Sequence, residues 1–200
     1  MTAFDDRLRA SISLVDWLAI RLEGLAVATK HQQHVAAACF QVSLRHHAAI
    51  IRLVESNNVT SAAALMRPQI EAYLRGAWVQ FSATQEQVRR FMTKGVTAEI
   101  AVSDLETAEA FDSGKLTEIK KSLWSPLSDF THCGGRMIAQ HFSEDDLVPS
   151  FSAEFITGLM NDSNLWALTA ANSFFLLAGR PDGAIEMLKK LKSITSDTAA

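Results

Sequence analysis

Residues 59–82 carry apolar side chains almost all the way round a helix, with a proline in their midst. Such a segment is stable only when other elements cover it on most sides, so the chain must supply a surround. Two candidates precede it. Residues 4–29 repeat apolar positions at helical spacing through Leu8, Ile12, Val15, Leu18, Leu22 and Leu25. Residues 32–56 do the same through Val35, Ala38, Val42, Ile50 and Val54. Asn57 and Asn58 close that run, and Asn58 can cap the next helix. Pro68 removes one hydrogen-bond donor and crowds the carbonyl four residues back, that of Ala64, which predicts a kink in the central helix.

The rest of the chain continues in the same style. Thr84 caps a short amphipathic helix that reaches about Lys94, where Gly95 stops it. Residues 96–112 and 117–131 read as more polar helices, and 136–142 as one or two helical turns. Residues 143–150 form an acidic loop. A long helix over 151–178 ends at Gly179-Arg180-Pro181, and a last one spans 182–192. Nine glycines and four prolines in 200 residues are too few for many short strands and tight turns, and no stretch alternates like a strand. The expected fold is all-α: one helical-bundle domain over residues 1–195, with about five main helices and a kinked central one, then a disordered tail over 196–200.

Charge and cysteines narrow the function classes. A formal net charge of −3 is not the basic footprint that nucleic-acid binding usually leaves, although it allows a local basic groove. Cys39 and Cys133 lie far apart and match no zinc spacing, so they read as reduced thiols, no metal is expected, and a cytoplasmic location follows. Asp5, Asp6, Arg7 and Arg9 interrupt any apolar leader. The most membrane-like stretch, residues 163–179, is shorter than the roughly 20 apolar residues that a span needs, and it holds Asn164, Thr169, Asn172 and Ser173. It reads as a core helix, with no membrane partner. No phosphate loop or dinucleotide fingerprint is present, so no cofactor is expected.

Three groups of residues can carry chemistry. Arg67, Glu71 and Arg75 are four apart and stack along one side of the central helix, at the border of its apolar face. They make either a packing salt bridge or an anion-binding row that faces a cleft. Asp129 and His132 are three apart at a helix end ahead of Gly134 and Gly135. The histidine either answers the helix dipole or is a base oriented by the carboxylate. His31 and His34 share a helix face, but nothing nearby completes a metal set. The third group is Arg136 and His141, spaced R-x4-H.

Two stretches support a family resemblance. Residues 64–76, ALMRPQIEAYLRG, and 127–134, LSDFTHCG, resemble a group of bacterial all-helical proteins with no settled activity. In that group an R-P-x-x-E-A-x-x-R-G helix precedes an L-S-D-x-x-H-x-G segment. The resemblance extends over residues 30–180 and marks Arg67, Glu71, Arg75, Asp129 and His132 as the ligand-binding set. The two stretches are expected to meet in the fold. In layout the group is similar to HEPN-like and abortive-infection bundles, which implies a toxin or defence role. The R-x4-H pair resembles the HEPN ribonuclease signature. That likeness implies that Arg136 and His141 are catalytic, that they meet across a homodimer, and that the partner is RNA or a cognate antitoxin protein. Glu144, Asp145 and Asp146, beside His141, would oppose RNA. The alternative is a non-enzymatic bundle that binds a small anion or a protein partner.

Overall fold

The computed structural model describes residues 2–27, 30–95, 98–108, 111, 114–142 and 147–196. Among them are nine helices and no strand: α1 (Ala3–Leu22), α2 (His31–Glu55), α3 (Val59–Phe81), α4 (Gln85–Lys94), α5 (Ala98–Leu105), α6 (Lys115–Thr131), α7 (Gly135–Ala139), α8 (Ala153–Leu177) and α9 (Pro181–Ser196). The all-α expectation holds, but about five helices is too few. α1, α2, α3, α6 and α8 are the long ones, and the shorter helices cover faces that these leave open. α5 packs on α3, and α9 packs on α8.

α3 is the centre, in contact with α2, α5, α6 and α8. Its buried residues include Met66, Ile70, Tyr73, Leu74, Ala77 and Trp78, which face different neighbours. Phe40 of α2, Tyr73 of α3 and Trp166 of α8 form an aromatic line, with ring centroids 6.0 and 5.3 Å apart. Gly76 lets α2 and α3 approach closely, because a Cβ there would lie 2.7 Å from Cε1 of Phe40. A second core group joins Leu14 and Leu18 of α1 to Leu168 and Phe175 of α8 and Met187 of α9.

Several helix ends differ from expectation for local reasons. α1 stops at Leu22 rather than near residue 29, since Glu23 is extended and Gly24 turns at φ +69°. Leu25 still reaches the core from beyond that turn. Asn58 occupies the cap position of α3, but its side chain makes no capping bond. Its carbonyl accepts from the Ala62 N–H instead. Thr84 does cap α4, in a reciprocal pair with Gln87. α9 runs to Ser196, past the expected end at 192, and tail residues 197–200 lie outside the described residues. Among the described residues, no helix is long and apolar enough to cross a membrane.

Candidate functional site

α3 runs unbroken through Pro68, and the freed Ala64 carbonyl shares the single Thr131 hydroxyl proton with the nearer Leu127 carbonyl. Thr131 Oγ1, at the end of α6, lies 3.2 Å from the Ala64 oxygen and 2.8 Å from the Leu127 carbonyl of its own helix. That contact brings the end of α6 to the proline turn of α3. The result is a groove of about 430 Å³ between α2, α3 and α6. Arg67, Glu71, Arg75 and His132 line it, together with His46 and Val42 from α2. The two stretches singled out in the sequence therefore meet.

Glu71 is the clasp of this groove. Its Oε1 accepts from Arg67 Nε at 2.8 Å, and its Oε2 from Arg75 Nη2 at 2.9 Å. The three side chains are 17–27% exposed. They are more sheltered than a surface pair, yet open to solvent on one side. The Arg67 guanidinium also lies 5.3 Å from the Trp124 ring centroid. A cation over an indole face is attracted by the ring quadrupole, so Arg67 is fixed from two directions. Its Nη donors have no protein partner among the described residues. Among the described lining residues, two guanidinium groups stand against one carboxylate, an excess of positive charge.

The histidines extend that character. His132 ends α6, where its N–H donates to the Ser128 carbonyl at 2.9 Å, and its side chain is exposed. His46 is half-buried, and that burial lowers its pKa below the usual imidazole value. Neither is oriented by Asp129, contrary to the oriented-base reading. The Asp129 carboxylate turns to the next helix, where Oδ2 accepts from the Arg136 N–H at 2.5 Å. Its Oδ1 would sit 1.9 Å from a Cβ on Gly134. The D-x-x-H-x-G spacing thus has a mechanical meaning. The aspartate fastens the start of α7, the glycine leaves it room, and the histidine lines the groove.

Arg136 and His141 take different places at the α7 corner of the single chain. Arg136 is exposed on α7, while His141 folds back beyond that helix. Nδ1 of His141 is 2.9 Å from the Met137 carbonyl, and Nε2 is 2.8 Å from Thr60 Oγ1 at the start of α3. A carbonyl only accepts, so Nδ1 carries the proton. Both ring nitrogens are engaged in holding the corner, and the ring also packs edge-on to Phe151. Glu144, Asp145 and Asp146 lie outside the described residues.

A family model matches residues 40–197. The chain belongs to DUF6988, a family of unknown function. The matched region includes every groove residue named above. No curated protein and no solved structure matches the chain.

Sequence reasoning missed three residues that build or brace this DUF6988 member's groove. His46 and Thr131 line it, and Trp124 lies against Arg67 beside it. Only Thr131 had a signal, since Pro68 requires a donor for the Ala64 carbonyl from somewhere. Cys39 offers no nucleophile beside the groove, because burial pushes its thiol up to about 11 against the opposing charge of Arg75. No cluster of three or more His, Cys, Asp or Glu that could hold a metal occurs among the described residues.

Proposed function

We propose that this protein is a binding module for a small anionic ligand, one carrying a phosphate or carboxylate group, and that the groove between α2, α3 and α6 is its site. The observation that carries this reading is the fixed Arg67. Its Nε is held by Glu71 and its face by Trp124, which leaves the Nη edge as a ready fork for two anionic oxygens. His132 and His46 line the same groove and can add positive charge when an anion draws a proton to them. Val42, Pro68 and Ala72 give the ligand an apolar wall. The volume of about 430 Å³ falls within the range of small-molecule sites. Glu71 is committed to both arginines, so it serves to position them rather than to move protons.

Calorimetry with inorganic phosphate and with a nucleoside monophosphate tests this. The expected result is saturable binding at one site per chain, weakened about tenfold or more by R67A, which removes the fork. Binding that is unchanged in R67A, with its fold verified by circular dichroism, contradicts the reading.

The second reading is a HEPN-like, RNA-cleaving toxin that works as a homodimer through Arg136 and His141, with an antitoxin as partner. One observation favours a protein contact there. Ile138, Phe142, Leu147 and Val148 stand exposed on the same stretch of chain. The two structural hydrogen bonds of His141 count against catalysis, since its use as a base would disrupt the corner. RNA cleavage that is lost in H141A while the fold is retained would favour this reading over the first.

A further inference from the structure

The arginine groove draws imidazoles from two elements, His46 from α2 and His132 from α6. Neither ring has a hydrogen-bond partner among the described residues, and neither nitrogen of the half-buried His46 ring is sealed from solvent. His47, the next residue, is the opposite case. Gln69 Nε2 donates to the Ser163 carbonyl at 2.8 Å, and Ser163 Oγ donates its only proton to Gln69 Oε1 at 2.7 Å. Ser163 Oγ can then only accept from His47 Nδ1, 2.9 Å away, so that nitrogen keeps its proton. His47 Nε2 is buried and without a partner, out of reach of any ligand. His46 is the imidazole of this pair that a ligand can meet.

The charged and titratable groups that face His46 across the groove are Arg67, Glu71 and Arg75 on α3 and His132 on α6. The Asp129 carboxylate of α6 is turned away to the α7 backbone. With both imidazoles neutral, two guanidinium groups against one carboxylate leave one positive charge in excess among these residues. A carboxylate or a phosphodiester brings one negative charge and two free oxygens. The Arg67 fork answers both oxygens, the excess charge is balanced, and the imidazoles have nothing to meet. A terminal phosphate brings a third oxygen and, near neutral pH, most of a second charge. That charge exceeds what the arginines balance. An imidazole that takes up a proton supplies the difference and donates to the third oxygen. Partial burial keeps His46 neutral in the empty groove, and the same shielding from water strengthens its attraction to a dianion.

Building on the anion-binding reading of this groove, we propose that its ligand class is a phosphomonoester, bound as the dianion on the Arg67 fork with uptake of a proton by His46. Two phosphate oxygens lie on the fork and the third on the His46 ring. Affinity for such a ligand declines as pH rises above 7, where the ring must draw its proton from a scarcer pool. Affinity for a carboxylate does not follow pH in this way, because no proton is taken up with it.

The test titrates methyl phosphate, dimethyl phosphate and acetate into the full chain by calorimetry at pH 7.5, in two buffers of different ionisation heat, which reads net proton uptake. Methyl phosphate is expected to bind about tenfold more tightly than the other two, with an uptake that they lack. R67A is expected to weaken all three. H46Q, which keeps a hydrogen-bonding group but cannot take a charge, is expected to lose the uptake and most of the preference for methyl phosphate. Circular dichroism checks its fold, and the wild-type comparison decides alone if H46Q does not fold. Equal affinity for methyl and dimethyl phosphate, with both weakened by R67A, would overturn the phosphomonoester proposal and leave the anion site standing. Methyl phosphate binding without proton uptake, or an uptake unchanged in folded H46Q, would overturn it likewise. Binding of none of the three removes the anion site and this proposal together.

Discussion

On α2, His46 lines the arginine groove, while His47, about 100° further round the helix, is sealed against Gln69 and Ser163. The contrast shows how one rotation step divides two chemistries. Burial lowers the pKa of both rings, modestly for His46 and to about 3 for His47. His46 keeps one side toward solvent and two guanidinium groups, so it can answer an arriving anion by taking up a proton. His47 has surrendered one nitrogen to a closed network and holds the other as an acceptor. The same side chain is a responsive element on one face and a fixed one on the other.

Acid should expose the difference most strongly. His47 has a folded-state pKa of about 3 against about 6.5 unfolded, so the unfolded chain takes up the proton first. Its contribution to stability is complete above pH 6.5 and declines as pH falls toward 3. Urea melts at pH 7 and pH 4 should differ by about 3 kcal/mol from this residue alone. H47N, whose amide can still donate to Ser163, should lose most of that slope. An H47N chain with the wild-type slope would show that some other group carries it.

The clasp of the groove comes next. E71A leaves two partly sheltered guanidinium groups without their shared acceptor and should cost about 2 kcal/mol, between the surface and fully buried cases. A loss below roughly 0.5 kcal/mol in denaturant melts would make the triad a surface pair. T131V removes the donor that the Ala64 and Leu127 carbonyls share and should cost about 1 kcal/mol. Anion binding should survive T131V, because no part of the cationic fork is touched. If T131V abolishes binding while its melt is normal, the hydroxyl belongs to the site rather than to its frame.

These effects also show what the amino-acid sequence reveals. Helical periodicity exposes most elements because each long helix buries a stripe, as Leu14 and Leu18 do on α1. The same periodicity brought Arg67, Glu71 and Arg75 to one side of α3, and Pro68 pointed to an unmet carbonyl that Thr131 serves. The reach of Asp129 to the α7 backbone was not legible, since it depends on a turn at Cys133 with φ +53°. The role of His46 was equally hidden, because a histidine's neighbours across helices leave no mark on its own spacing. His47, Gln69 and Ser163 are joined over separations of 94 and 116 residues, beyond any local pattern.

The smallest expected effect bears on both sides at once. Saturating phosphate should raise the pKa of His46, since an adjacent anion favours the imidazolium, and should leave His47 neutral. An NMR pH titration that shows no upward movement of His46 would remove it from the site.

The most direct measurement is a phosphate titration that follows the Arg67 Nε–H and the His132 ring together by NMR, in wild type and in R67K. Both signals are expected to move along one saturating curve in wild type, and R67K, which keeps the charge but loses the fork, to bind about tenfold more weakly. Unsaturated shifts scattered over surface lysines, or equal affinity in R67K, would contradict an anion site built on the Arg67 fork.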